Sequence, residues 1–115
     1  MSKRETAVAV VGLGFGANHA RVLGELPGVR LAGVCDADPA RAEAVAAARA
    51  TRPYTDLATL LQHEKPDAIV VAVPARLHET VAVQSIEAGC AVLVEKPLAA
   101  SLAEGRRLAE ALAER

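Results

Sequence analysis

Aromatic residues are nearly absent from this 115-residue chain: they make up 2% of it, with one Phe, one Tyr and no Trp. Yet 52% of the residues are hydrophobic. A core must therefore be built from Ala, Val, Leu and Ile, small side chains that suit close packing of helices on a sheet. Long apolar runs are missing too: no stretch approaches the ~20 residues of a membrane span. A charge excess is also lacking. Thirteen basic and fourteen acidic residues leave a net charge of −1, which gives no electrostatic reason to expect nucleic acid or an anionic membrane as partner. Cysteine is scarce. Cys35 and Cys90 form no metal or redox spacing, and both read as reduced, small core residues with no disulfide between them.

The opening "MSKRETAVAVVGLGFGA" places Lys3 and Arg4 ahead of an apolar run, in the manner of a secretory signal. Glu5 and three glycines argue for a buried first strand instead, and a cytoplasmic location is expected. No internal repeat, low-complexity tract or linker interrupts residues 1–115, so one domain is expected. A core of that size buries about two-thirds of the unfolded chain's surface.

Strand and helix patterns alternate throughout. Residues 6–11 (TAVAVV) are continuous, β-branched and apolar, as a strand covered on both faces should be. Residues 16–26 set Ala17, Ala20, Leu23 and Leu26 on one helical face. A second strand is expected over 30–35. Asp38 caps a helix with Pro39 at its first position, running to about Arg49. "RPYT" reads as a short strand, Asp56 caps "LATLLQH", and 67–73 (DAIVVAV) is a clear strand. A helix over 77–88 ends at Gly89, a strand follows over 91–95, and Ser101 caps a last helix. This alternation predicts a three-layer αβα fold, a doubly wound parallel sheet with right-handed crossovers and strand order 3-2-1-4-5.

Chemistry-bearing residues gather at the strands' carboxyl ends. "VVGLGFGANHA" has Gly12 and Gly14 at the first two positions of G-x-G-x-x-G/A, with Ala17 at the third. The first glycine permits the tight turn and the second lets backbone approach a pyrophosphate. A small third residue allows close helix–strand packing, and the helix N-terminus offers N–H groups to the anion. A ligand-free turn needs one glycine; this loop has three. Asp36 follows the second strand, 24 residues after Gly12 (36 − 12), near the spacing of an acid that bonds the adenosine ribose. The alternative, that Asp36 starts the next helix, is weaker because Asp38 fills that role. Arg41 reads as part of a solvated helix face. His78 reads first as a structural residue near a helix start, His63 almost wholly so, and His19 is intermediate. Pro74 stops the fourth strand.

"VLVEKPLA" asks why a buried strand should deliver Glu95, Lys96 and Pro97 at once. In an open parallel sheet the ligand lies outside the carboxyl ends, where strand order reverses. Lys96 leaves on the far side of strand 1 from Asp36, where the nicotinamide half of a dinucleotide would lie. Pro97 fixes the backbone beyond it.

Together these residues resemble the N-terminal Rossmann domain of the Gfo/Idh/MocA oxidoreductases, the glucose–fructose oxidoreductase and inositol dehydrogenase group. The likeness runs through the glycine loop with Asn18 and His19, "VCDADPARA", "YTDLATLL", "PDAIVVAVPARLH", "AGCAVLVEKPLA" and "SLAEGRRLAE". Glu95-Lys96-Pro97 matches the family's most specific signature. The resemblance implies hydride transfer between NAD and a hydroxyl or carbonyl of a sugar, cyclitol or similar molecule, with Lys96 contacting cofactor and substrate and assisting proton transfer. The set expected at the cofactor is Gly12, Gly14, Phe15, Gly16, Ala17, Asp36, Pro74, His78, Glu95 and Lys96; no metal is expected. NADP is less favoured, because a 2′-phosphate would meet Asp36, and neither Ala37 nor Asp38 supplies positive charge. Two departures stand out. The loop reaches its histidine one residue sooner than in many members, and the second domain that carries most substrate contacts in the family is missing. The chain alone is thus expected to bind cofactor without catalysing. The competing reading is a non-catalytic nucleotide-binding or redox-sensing module, and Lys96 argues against it. Association into a homo-oligomer is expected, through the apolar fifth strand or the Leu102, Leu108, Ala109 and Leu112 stripe of the last helix.

Overall fold

A parallel strand buried on both faces must be followed by a helix that carries the chain back across the sheet. The computed structural model describes residues 5–94 and 102–113. Its elements are β1 (Thr6–Val11), α1 (Gly16–Glu25), β2 (Val29–Cys35), α2 (Pro39–Arg49), β3 (Pro53–Tyr54), α3 (Leu57–Glu64), β4 (Ala68–Val71), α4 (His78–Glu87), β5 (Ala91–Val94) and α5 (Leu102–Ala113). The strands pair in parallel in the order β3-β2-β1-β4-β5, as expected.

The pleat sorts alternate residues to opposite layers. Val8 and Val10 of β1 join Val34 and Val70 against Leu13, Ala20, Ala42 and Ala46, the layer of α1 and α2. Ala9 and Val11 join Ile69 and Val71 against Leu57, Leu60 and Ala82, the layer of α3 and α4. Alanines at the helix contacts (Ala20, Ala42 and Ala82, each with no exposed surface) let the layers approach closely. The aromatic-poor composition thus serves three-layer packing.

The caps form as expected. Asp38 accepts the Ala40 N–H at 3.0 Å, with Pro39 at the first turn. Asp56 accepts the Thr59 N–H at 3.0 Å and its hydroxyl at 2.8 Å. Each such cap is worth ~1 kcal/mol. Gly89 follows α4 at φ +92°, and its N–H donates to the Ile86 carbonyl at 2.9 Å.

Several boundaries differ from expectation by one or two residues, and four of these differences bear on the site or on the packing. First, α1 stops at Glu25, and Leu26 is extended and 45% exposed rather than part of the apolar stripe. Pro27 explains this, since its ring disfavours helical backbone in the residue before it. Second, β4 is Ala68–Val71, shorter than 67–73. Its neighbour β1 ends at Val11, so after the Ala72 N–H reaches the Val11 carbonyl at 2.8 Å no further ladder exists. Third, the helix begins at His78, after a single 3-10 turn over Ala75–Leu77. Fourth, β2 starts one residue earlier than expected, at Val29.

Cys35 and Cys90 are buried core residues, as expected, and the Cys90 thiol donates to the Pro66 carbonyl at 3.2 Å. At the sheet's outer edge, Leu93 of β5 is 58% exposed. Glu95, Lys96, Pro97 and Ser101 lie outside the described residues, as do the side chains of Leu102, Leu108 and Leu112. Among the described residues no helix is long and apolar enough to cross a membrane.

Candidate cofactor-binding site

The exit of β1 has to pass over the end of β4. Gly12 makes this possible: it adopts φ +91°, and a Cβ there would lie 2.6 Å from the Ala72 carbonyl carbon and the Val73 nitrogen. Its N–H donates to the Cys35 carbonyl at 2.8 Å, which locks the loop to β2 as well. Gly14 is different. A Cβ on it would meet nothing within 4 Å, so packing does not require glycine there. Its bare backbone borders an open crevice.

The third small position is Gly16, not Ala17. A Cβ on Gly16 would come within 2.8 Å of Val10 Cγ1 and 3.3 Å of the Ala72 Cβ, whereas Ala17 is half-buried. Close packing of α1 on the sheet therefore acts one residue earlier than the G-x-G-x-x-G/A spacing suggests. Phe15, at the N-cap of α1, has no capping side chain and is 85% exposed on the rim of the crevice. The first turn of α1 also holds no acidic residue, which leaves its N–H groups suited to an anion.

Asp36 is the first residue past β2. Its side chain is 10% exposed. One carboxylate oxygen, Oδ2, accepts the Leu13 N–H at 2.8 Å, and Oδ1 accepts the Asp38 N–H at 2.9 Å. It therefore ties the glycine loop to the β2–α2 turn while lining the crevice. Arg41 is exposed on α2, as expected, but does more than face solvent. It lines the same crevice, with Nη1 3.6 Å from Asp36 Oδ2. Arg41 is the third residue of α2, and side chains slant toward a helix N-terminus, which carries it back over Asp36.

Val73, Pro74, Ala75, Arg76 and Leu77 form the far wall. His78 stands behind this wall. It is 1% exposed and does not line the crevice. Its Nε2 lies 2.7 Å from the Val73 carbonyl. A carbonyl only accepts, so Nε2 carries the hydrogen and donates it. His78 thus holds the wall from behind, through the Val73 carbonyl, and is not part of its crevice surface. His19 is half-buried and also outside the crevice lining, and His63 packs edge-on against Tyr54.

Thr55 and Leu57, just past β3, and Cys35 complete the β2–β3 side. Sequence reasoning passed over them, although the rule that sites gather at carboxyl ends covers Thr55 equally. Burial, followed by the carboxylates of Asp56 and Asp36, pushes the Cys35 thiol up to about 11. It stays neutral and serves as an apolar lining group. The crevice encloses about 840 Å³, within the range of small-molecule sites.

A doubly wound sheet whose order reverses between β2–β1 and β4, with glycine loop and acid meeting at that switch point, defines a dinucleotide-binding domain. Residues 6–115 match the Gfo/Idh/MocA family, described as an oxidoreductase family with an NAD-binding Rossmann fold, and the chain belongs to that family. It is 42% identical over 119 residues to inositol 2-dehydrogenase 1 of Saccharopolyspora erythraea, covering 90% of this chain and 35% of that protein. Among solved structures, GenD2 from gentamicin A biosynthesis in complex with NAD superposes with a TM-score of 0.91 at 41% identity, covering 99% of this chain and 33% of that one. The WlbA dehydrogenase from Bordetella pertussis, in complex with NADH and UDP-GlcNAcA, gives a TM-score of 0.91 at 32% identity, covering 96% of this chain and 35% of that one. The chain thus spans about a third of the length of these relatives.

Proposed function

We propose that this chain, as one dinucleotide-binding domain, is the NAD-binding part of an oxidoreductase acting on a sugar, cyclitol or related polyol. The observation that carries this is the meeting of Gly14, Phe15, Asp36 and the Val73–Leu77 wall around one crevice at the carboxyl ends. Each matches a chemical need of the cofactor. The unshielded backbone at Gly14 and the start of α1 suit a pyrophosphate. Asp36 uses one backbone N–H on each oxygen, and each oxygen retains acceptor capacity for a ribose hydroxyl. Phe15, exposed as a lone apolar ring, is a surface for the bound dinucleotide to cover. The nicotinamide, when bound, supplies or accepts the hydride.

Lys96 is the proposed catalytic group, with Glu95 beside it. Val94, the last described residue of β5, pairs with Val71 at the end of β4, and Lys96 follows it by two positions. By the family resemblance, the Lys96 ammonium would hold or move a proton at the substrate oxygen. Such assistance is commonly worth ~10²–10⁴-fold in rate. Substrate contacts are assigned to a further domain, in keeping with relatives of about three times the length. Two buried cysteines, Cys35 and Cys90, favour a reducing, cytoplasmic setting. The exposed apolar edge at β5 favours a homo-oligomer, which light scattering across a concentration series tests directly.

Calorimetric titration with NADH tests the central reading: saturable one-site binding is expected. In a form joined to a substrate domain, Lys96→Ala should lose turnover and keep NADH affinity. Normal turnover with lost affinity would instead make Lys96 a cofactor anchor.

A further inference from the structure

The wall formed by Val73–Leu77 shares its crevice with the glycine loop. A carbonyl oxygen carries partial negative charge and only accepts, so one aimed into a pyrophosphate site repels the ligand. In this wall two carbonyls are tied elsewhere. The Pro74 carbonyl accepts the Leu77 N–H at 2.8 Å within the 3-10 turn. The Val73 carbonyl accepts from His78 Nε2 at 2.7 Å. His78 is 1% exposed and outside the crevice lining, so this bond turns the Val73 oxygen inward, behind the wall. The preceding peptide is fixed from the other side, where a Cβ on Gly12 would lie 2.6 Å from the Ala72 carbonyl carbon and the Val73 nitrogen. Val73 is thus gripped between the glycine loop and an imidazole on the first residue of α4. Packing alone does not ask for histidine at that place. An apolar side chain would fill it with no polar group to satisfy.

Resting on the dinucleotide reading above, we propose that His78 is a positioning residue for the anionic cofactor: it holds the Val73 carbonyl out of the crevice and so keeps the far wall free of an electron-rich oxygen. The two sides of the crevice are then complementary. The glycine loop and the start of α1 offer N–H groups to the anion, and the opposite wall withholds its acceptors. Without the imidazole the Val73 oxygen loses its buried partner and gains by turning toward water in the crevice. The phosphates then meet it at close range. His78 does not touch the cofactor; it acts through Val73.

The test is titration of the chain and of His78→Leu, His78→Gln and Ile86→Ala with NADH, ADP and adenosine. His78→Leu should weaken NADH and ADP, which carry the pyrophosphate, by about tenfold, and adenosine, which carries none, by less than about threefold. A merely misshapen site would weaken all three alike. His78→Gln keeps an N–H donor on a flexible side chain and should recover most of the loss. Ile86 is 3% exposed on the same helix, and Ile86→Ala should lower the denaturant midpoint yet leave NADH affinity within about threefold. If His78→Leu does not fold, His78→Asn, with its amide on a shorter stem, takes its place with the same expectation. Nitrogen NMR of the imidazole in the unaltered chain should show Nε2 protonated with and without NADH. Adenosine weakened as much as NADH, no weakening of NADH, no recovery in His78→Gln, a loss in Ile86→Ala equal to that in His78→Leu, or an Nε2 that gives up its proton when NADH binds would each overturn the inference. NADH binding to the unaltered chain would still uphold the dinucleotide reading in those cases. Failure of the unaltered chain to bind NADH would remove that reading and the inference with it.

Discussion

The two ends of β1 are clamped by the same device and put to different uses. At the amino end, Asp67 accepts the Ala7 N–H at 2.8 Å and its own N–H donates to the Ala7 carbonyl at 2.8 Å. At the carboxyl end, Asp36 accepts the Leu13 N–H at the same distance. Each is a partly buried carboxylate reaching from a neighbouring strand's flank, Asp67 to the backbone of β1 and Asp36 to the glycine loop just past it. Of the two, Asp36 is the one that borders the crevice, where Arg41 Nη1 stands 3.6 Å from it. A carboxylate on backbone N–H groups is therefore no sign of a site by itself. What marks a site is acceptor capacity left over in a concave space.

The glycine loop sharpens this contrast most. Gly12 and Gly14 are two residues apart, yet only Gly12 is demanded by the fold. Gly12→Ala must place a Cβ against backbone atoms at 2.6 Å and hold φ +91°. Strain and overpacking together predict a loss of about 2–5 kcal/mol, seen as a large fall in the denaturant midpoint, with cofactor binding lost as well. Gly14→Ala meets nothing within 4 Å and should leave the midpoint within about 0.5 kcal/mol of the parent. Its effect should appear in NADH titration, where a methyl now stands between backbone and pyrophosphate. Equal destabilisation by both would break the distinction.

The two aspartates give the next test. Asp67→Ala leaves the Ala7 N–H without its acceptor in a partly buried place, a loss of about 1–3 kcal/mol, with NADH affinity in the surviving folded chain unchanged. Asp36→Ala should cost a similar amount of stability and also lower NADH affinity, by about tenfold for each ribose bond worth ~1.4 kcal/mol. Chemical denaturation paired with titration separates them. Should Asp67→Ala weaken NADH as much as Asp36→Ala does, the two clamps would be one coupled unit.

How far the chain's residues disclosed this depends on the range of the interaction. The caps at Asp38 and Asp56 are local, two or three residues long, and were legible. So was strand order, because alternation and right-handed crossovers leave few topologies. The turn at Gly12 and the acid at Asp36 were readable from their place after apolar runs. Gly16 was not singled out for packing, since its need for a missing Cβ depends on Val10 and Ala72 from two different strands. Arg41 looked like a surface residue because periodicity does not include the backward slant of helical side chains. His78 looked like an end-of-helix residue, and its hydrogen bond to Val73 emerges only when the 3-10 turn folds the wall back upon it.

The smallest effect concerns Cys35, which shares the carboxyl end with Asp36. Burial is the main reason its thiol is raised from 9.0 to about 11, and the Asp56 and Asp36 carboxylates add to it. The sign follows from linkage. A group whose folded value exceeds its unfolded one binds its proton more tightly when folded, so its contribution is complete below 9 and drains away as pH climbs through 11. One unit of difference corresponds to about 1.4 kcal/mol, so about 1 kcal/mol should be gone by pH 10. Tyr54 is shifted upward as well, chiefly by burial and then by its hydrogen bond to Glu64, so the raw pH slope mixes two groups. Cys35→Ala separates them: its stability loss between pH 8 and pH 10 should be shallower than the parent's by about that 1 kcal/mol. Parallel slopes would mean that the thiolate is tolerated at the crevice. In that case the carboxylates of Asp36 and Asp56 would not make this end as inhospitable to further anions as the preference for NAD requires.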